Sequence, residues 1–272
     1  SSAASDVYKR QGAYYFDKQE YKKAYDFFNQ YVEISELPMF AGTQTAEKDS
    51  TFMTVQFYAA AAASLAKDSR LAIAALERAK NTPYRQYDVY QYLCYEYGEA
   101  RTAQDSVMLE KTFEEGMQVF PDSAFFLNNL INTYIYSNRN EKALEMLNVA
   151  IQKNPNDANL YNVMGRVYET GLKDYANAEK NFQIALEKDP NLTDALSNIG
   201  RIYYNQGVNK LSEANMINDS KKYQEELSMA KDLFKKALPY YKKAHEAEPE
   251  KMDNMIAVSY THLRAHETRR HL

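Results

Sequence analysis

The sequence lacks several residues on which common classes of protein depend. Among its 272 residues there is no tryptophan, one cysteine and only four histidines. A single cysteine, Cys94, excludes a disulfide framework within the chain, and this inventory disfavours a Cys/His metal cluster or a Cys–His catalytic dyad. Cys94 lies in the tyrosine-rich stretch YQYLCYEYGEA, where a cysteine is most often a small packing residue.

Glycine and proline are also scarce, and the 37 acidic residues outnumber the 33 lysines and arginines. Eight glycines and seven prolines favour helices with short connections, and no apolar run is long enough to cross a membrane. The net charge of −4 offers no electrostatic footprint for nucleic acid. No glycine-rich phosphate loop, nucleophile elbow or histidine-containing triad is present. We therefore expect no enzyme activity, no cofactor and no nucleic-acid partner.

The histidines are concentrated at the C-terminus, in THLRAHETRRHL at residues 261–272. The stretch is close to a zinc-protease motif, but on a helix His266 and His271 would point about 140° apart. His262 and His266 could share one face, yet after the adjacent Glu267 no Asp, Glu or Cys follows to complete a set of three protein ligands. No metal site is predicted here.

Both ends of the chain resemble a laboratory reagent. SSAASDVYKRQ, residues 1–11, and VSYTHLRAHET, residues 258–268, each match a translated transposase adapter from sequencing libraries. Such segments do not belong in fold reasoning. We therefore expect adapter-derived tails at residues 1–11 and 258–272, a folded region at 12–249, and the start of a truncated further helix at 250–257.

The prolines reveal an internal period. Pro121, Pro155, Pro190 and Pro249 are separated by 34, 35 and 59 residues, the last interval being one period plus an insertion of 25. A period of 34 is typical of the tetratricopeptide repeat (TPR), in which paired helices A and B stack to bury their apolar faces. The chain resembles bacterial TPR proteins, which implies an all-α, right-handed superhelical solenoid of antiparallel helix pairs.

The TPR register predicts about six repeats, the first truncated and the last interrupted by a helical insertion at 208–234. Small residues such as Gly165, Gly200, Ala143 and Ala178 should let helices A and B approach closely, with Leu147 and Phe182 filling the grooves beside them. Because the insertion is charged and helical in pattern, we expect it to extend the helices. Pro239 should kink the last helix or mark a fresh start.

The resemblance also implies a function. Stacked TPRs present the A helices on a concave face, where asparagines can hydrogen-bond an extended peptide. The chain is therefore predicted to be a non-catalytic protein–protein interaction scaffold. The inward positions of the last three repeats are the predicted partner-binding residues: Asn128, Asn132, Tyr136, Asn162, Arg166, Asn198, Arg201 and Asn205. The lysine clamp of chaperone-binding TPRs is not matched, because Asn128, Asn162 and Ser197 occupy the positions where a lysine would be sought.

Two arginines in this set occupy equivalent positions. Arg166 and Arg201 are 35 residues apart, so we expect them to form a short inward row continued by Asn132. Alternatively, Arg166 pairs locally with Glu169, three residues on, and serves only solubility. Arg201 has no acidic residue three or four positions away, which favours the binding interpretation.

Tyrosine is the other unusual feature, with 24 copies and a dense run between Tyr84 and Tyr97. These rings either replace leucine and tryptophan in the core, with the hydroxyl in water, or form a carbohydrate or peptide platform. The alternative function is therefore a glycan- or peptide-recognition sensor module fused to an effector outside this segment. The compartment, cytoplasmic or periplasmic, and the oligomeric state are left open by the sequence.

Overall fold

The computed structural model describes residues 3–37, 50–100 and 102–249, and the regular structure of this part of the chain is helical. In chain order the α-helices are α1 Ala3–Asp17, α2 Tyr21–Ser35, α3 Ser50–Leu65, α4 Ser69–Ala79, α5 Gln86–Ala100, α6 Ala103–Val119, α7 Ala124–Tyr136, α8 Asn140–Lys153, α9 Ala158–Arg166, α10 Tyr175–Lys188, α11 Thr193–Ala214 and α12 Ser220–Ala247. One π-helical turn, Val167–Leu172, continues α9. The predicted all-α class is confirmed.

The helices form consecutive pairs, in which odd-numbered first helices correspond to A and even-numbered second helices to B. Short turns within the pairs make the partners antiparallel. The chain divides into two compact units, unit 1 ending at Leu130 and unit 2 beginning at Ile131. Each unit is described by itself.

The turns inside four of the pairs share one backbone conformation. Each contains a residue in the left-handed region, with φ between 57° and 59°: Gln19, Lys67, Asn138 and Lys173. In the first three, the following residue donates its N–H to a carbonyl five positions back, as Arg139 does to Tyr134 at 2.7 Å. This bond satisfies a carbonyl that the end of a helix leaves without a partner.

The fourth turn belongs to the repeat between Pro155 and Pro190, which has 35 residues, one more than the repeat before it. Here Asp174 donates to the carbonyl of Tyr168, six positions back, at 2.8 Å. The π-helical turn takes up the additional residue, so the start of α10 is kept in register. Gly171 is needed at this point, because a Cβ there would lie 2.1 Å from Oδ1 of Asn140.

The predicted close approach of paired helices is confirmed. Ala143 and Ala178 are fully buried. A Cβ built on Gly165 would lie 2.5 Å from the ring of Phe182, so the α9 backbone rests directly against that aromatic face. Gly12 against Phe28 and Gly200 against Tyr241 repeat the same contact.

The insertion at 208–234 lengthens both helices of the last pair. Helix α11 has 22 residues and α12 has 28, whereas α7 has 13 and α8 has 14. Phe234 is fully buried within the extension, and Lys210 of α11 pairs with Glu226 of α12 at 3.1 Å. Both helices are longer than α7 and α8, and the bounds of the insertion stay a prediction.

Helix α12 continues through Pro239, so the fresh start considered for this residue does not occur. Proline removes one N–H donor, but the residues beyond it stay packed. Tyr241 and Ala244 are buried in the core shared with α11. We infer that this burial offsets the missing hydrogen bond.

The N-terminal residues are more involved in packing than the sequence analysis anticipates. Residues 3–11 form the first part of α1. Ser5 is buried, and the ring centroid of Tyr8 lies 6.3 Å from that of Phe27. The adapter origin of residues 1–11 stays a prediction. The connector at 38–49, the predicted helix start at 250–257 and the tail at 258–272 lie outside the described residues.

Six tyrosines in the described part of the chain are buried in the core, and the others are partly or fully exposed: the buried ones are Tyr31, Tyr90, Tyr97, Tyr134, Tyr203 and Tyr241. Tyr97 is buried and donates its hydroxyl to Glu77 at 2.7 Å, and Tyr203 is buried with its hydroxyl bonded to Glu179. Burial, followed by the neighbouring carboxylate, raises the pKa of both phenols. Tyr92, Tyr95 and Tyr136 instead remain exposed.

In unit 1 an ion pair links second helices one repeat apart. Arg70 of α4 donates to the carboxylate of Asp105 in α6 at 3.0 and 2.5 Å, and Asp105 also closes a capping box with Thr102. The Arg70 guanidinium, and then the Thr102 hydroxyl, hold the pKa of Asp105 well below its usual range. The carboxylate thus caps α6 and connects it to α4.

We predict opposite effects for alanine at two helical glycines. Gly165→Ala should destabilise the fold by about 1–3 kcal/mol, because the new methyl group overpacks the contact with Phe182. Gly98→Ala should stabilise it by about 0.5 kcal/mol, because a Cβ there meets no atom within 4 Å and alanine favours the helix. Urea denaturation measures both free energies of unfolding; equal effects would contradict the assigned contact.

Asp105 should make part of the stability depend on acid pH. Its folded pKa is depressed, so its contribution is complete above the unfolded value of about 3.9 and is lost as the pH falls below it. Asp105→Asn should therefore flatten the loss of stability between about pH 4 and pH 2. Urea denaturation at several pH values tests this, with the exposed Asp122→Asn as the control; an unchanged slope would refute it.

Candidate partner-binding surface

Within unit 2, successive first helices exchange hydrogen bonds between side chains about one repeat apart. We call this set the seam. It consists of three pairs, separated by 34, 36 and 32 residues: Asn132 with Arg166, Asn162 with Asn198, and Glu169 with Arg201. Five of these six are predicted partner-binding residues, and the sixth, Glu169, is not.

The asparagine pair is the buried part of the seam. Nδ2 of Asn198 donates to Oδ1 of Asn162 at 2.9 Å, and the two residues are only 6% and 5% exposed. An unpaired amide at this depth would cost free energy, so each side chain stabilises the other. Both were expected to face a peptide. The geometry gives them a structural role between α9 and α11, and a binding role for them stays a prediction.

Arg201 has the acidic partner that the sequence analysis did not find. Its Nε and an Nη atom donate to the two carboxylate oxygens of Glu169 at 3.1 and 2.6 Å. Glu169 belongs to the preceding repeat, so a search of Arg201's own helix misses it. The same contact replaces the local pairing of Glu169 with Arg166 that was considered as an alternative. The positive charge of Arg201 is thereby neutralised.

Arg166 is different, because its side chain is exposed and not matched by an acid. An Nη atom donates to Oδ1 of Asn132 at 3.3 Å, and no carboxylate in the described part of the chain forms an ion pair with it. Tyr136, one turn after Asn132 on α7, is 87% exposed. We call Asn132, Tyr136 and Arg166 the Arg166 patch.

Two further predicted partner-binding residues lie outside the seam. Asn205 is exposed on α11, one turn after Arg201, and continues the same helix face. Asn128 is exposed on the part of α7 that belongs to unit 1. Their roles in binding stay predictions.

Unit 1 contains a separate cleft of about 540 Å³. Its walls come from α5, α6 and the start of α7, with Ser64 of α3 at one edge. The lining residues are Ser64, Gln91, Tyr92, Cys94, Tyr95, Leu109, Phe113, Phe125 and Asn129. The tyrosine-rich stretch of the sequence lies in this region, but only the packing of α5 decides which rings face outward.

The other chemistry considered from the sequence finds little support in the described residues. No group of three or more His, Cys, Asp or Glu side chains among them is placed to hold a metal ion. The C-terminal histidines lie outside the described residues. Two glutamates that stand next to a second glutamate in the sequence form ion pairs, Glu115 with Lys80 and Glu226 with Lys210. Burial raises the pKa of the Cys94 thiol to about 12, so it is not a reactive thiolate at neutral pH.

None of the helices in the described ranges is long and apolar enough to span a membrane.

Together, the period of 34–35 residues, the antiparallel helix pairs and the recurring contact of a small residue with an aromatic ring define an all-α helical repeat fold that resembles the fold of TPR proteins. This assignment rests on the internal geometry of the chain. No protein-family model matches the sequence, and no curated protein does.

The solved structures to which this chain is similar include a TPR repeats protein and a MamA protein. A TPR repeats protein (BF2334) from Bacteroides fragilis NCTC 9343 is 19% identical, with 96% of this chain and 98% of that chain covered and a TM-score of 0.43. A MamA protein is 18% identical over 72% of this chain and 95% of that chain, with a TM-score of 0.46.

The buried asparagine pair yields a prediction about stability. Asn162→Ala and Asn198→Ala should each cost about 1–3 kcal/mol, because either change leaves the other amide buried without its partner. The double variant should cost less than the sum of the single variants. A double-mutant cycle by urea denaturation measures this coupling.

Asn159→Ala, an exposed position on the same helix, is the matched control and should change stability by no more than about 0.5 kcal/mol. Strict additivity of the Asn162 and Asn198 variants would show that the two amides do not depend on each other.

Proposed function

We propose that this chain is a non-catalytic interaction module that binds an extended, acidic segment of a partner protein at the Arg166 patch of unit 2. The observation that supports the proposal is the environment of Arg166. It is an exposed guanidinium without a carboxylate partner in the described residues, in a protein of net charge −4. Guanidinium groups bind carboxylates through paired hydrogen bonds, which makes an acidic side chain the matching ligand.

The neighbours of Arg166 suit an extended segment. The side-chain oxygen of Asn132 accepts from Arg166, and its NH₂ group can still donate to a peptide carbonyl. Tyr136 offers an exposed ring against which an aliphatic portion of the segment can pack. Because Arg201 is already neutralised by Glu169, we assign the recognition of acid to Arg166 alone.

The proposal includes the absence of catalysis by this segment. Glu169, a buried carboxylate at the seam, is occupied by Arg201. Glu115 and Glu226 are likewise engaged by lysines. These acids are explained by ion pairs between helices, which leaves binding as the role for the exposed residues around Arg166.

The proposal is tested with peptides selected from a randomised library displayed on phage and panned on the purified chain. We expect selected peptides to be rich in Asp or Glu and to bind less tightly as salt is added. Arg166→Glu should weaken the best peptide by about tenfold or more, because the reversed charge repels the acid. Isothermal titration calorimetry measures the affinities.

Lys180→Glu is the matched control, since it makes the same charge change at an exposed position on the second helix α10. It should leave the affinity within about twofold of the unchanged protein. Arg201→Glu is a poor test, because it would also break the contact with Glu169. Undiminished binding by folded Arg166→Glu would refute the proposed site.

A further inference from the structure

The cleft in unit 1 has a lining that differs from the surface of the chain as a whole. Charged residues make up 26% of the sequence, yet none of the nine lining residues is charged. Five are large aromatic or aliphatic side chains: Tyr92, Tyr95, Leu109, Phe113 and Phe125. An uncharged, mostly carbon wall favours an uncharged, apolar occupant.

The aromatic side chains form a floor and a rim. Phe113 is buried, and its ring centroid lies 6.2 Å from that of Phe125 in an edge-to-face arrangement, which fixes the floor. At the rim Tyr95 is 61% exposed and Tyr92 is 43% exposed. Exposed tyrosine rings beside a buried aromatic floor resemble the anchor pockets of protein interfaces, where one large side chain supplies much of the affinity.

The surroundings of the cleft disfavour an acidic occupant. The hydroxyl of Ser64, at the edge of the cleft, donates to the carboxylate of Glu96, which is only 3% exposed. The lining offers no cation to a bound carboxylate, and a negative charge on Glu96 would repel it. This site therefore selects against the acidic segment that suits the Arg166 patch.

The polar atoms of the cleft also argue against a sugar. The Ser64 hydroxyl is committed to Glu96, and the Asn129 amide donates to the carbonyl of Phe125 at 2.8 Å. Sugar hydroxyls that lose water need new hydrogen-bond partners, and each unpaired one costs free energy. With these two groups already engaged, Gln91 and the hydroxyls of Tyr92 and Tyr95 are the polar groups of the lining that remain for a ligand, which suits one apolar side chain with its backbone better than the many hydroxyls of a sugar.

We propose that this cleft is a second binding site, which holds an aromatic or leucine side chain of a partner protein. Tyr92 and Tyr95 enclose the side chain and Phe113 and Phe125 form its floor. The amide of Gln91, which also lines the cleft, can bond the backbone of the inserted segment. The site lies wholly in unit 1 and does not rest on the function proposed for the Arg166 patch.

The test uses short blocked peptides with one varied residue: acetyl-Gly-Phe-Gly-amide, the Leu and Asp equivalents, and the disaccharides maltose and chitobiose. Ligand-observed NMR titration on the full chain measures their dissociation constants. The Phe and Leu peptides should bind, and the Asp peptide and both sugars should not. Tyr95→Ala should weaken the Phe peptide by about tenfold, whereas Tyr95→Phe, which keeps the ring, should not.

Two controls separate this site from the rest of the protein. Tyr175→Ala removes a comparably exposed tyrosine in unit 2 and should leave binding of the Phe peptide unchanged. Arg166→Glu should also leave it unchanged, so the two proposals can fail independently. The inference is overturned if the Phe and Leu peptides do not bind, if the sugars bind instead, or if folded Tyr95→Ala binds the Phe peptide as well as the unchanged protein does.

Discussion

The close approach of two helices at a small residue is the contact on which the rest of this structure depends. Where Gly165 lies against the ring of Phe182, and where Ala143 and Ala178 are fully buried, the paired helices pack without room for a larger side chain. An added methyl group would have to displace an aromatic ring held in a close-packed core. Repetition of this contact keeps each pair in the same internal register.

A constant register brings residues one repeat apart into contact. In unit 2 the side chains at separations of 32–36 residues meet along the seam, and in unit 1 Arg70 reaches Asp105 across 35. The π-helical turn at Val167–Leu172 preserves this register despite one extra residue. Glu169 and Arg201 neutralise each other at the seam, whereas Arg166 bonds the amide oxygen of Asn132 and no carboxylate in the described residues, so its charge remains available for recognition.

The two proposed sites use opposite chemistry. The Arg166 patch presents an exposed cation and suits a carboxylate, whereas the unit 1 cleft is uncharged, has Glu96 behind its wall and suits an apolar side chain. The chemistry of each site depends on which polar groups already have hydrogen-bond partners in the packed helices. A partner that used both would be recognised by two features that neither site supplies alone.

The sequence by itself determined the helical class, the period, the small and large positions of the pairs and the extension of the last two helices, because these follow from local periodicity and residue size. Only the tertiary structure decided which predicted residues are exposed. Asn162 and Asn198 turned out to be buried against each other, and Arg201 is paired with Glu169 of the preceding repeat. The exposed rings of Tyr92 and Tyr95 likewise could not be separated from the buried Tyr97 by spacing alone. The physical reason is that burial and pairing depend on neighbours about 34 residues away, whose orientation is set by the packing of whole helices.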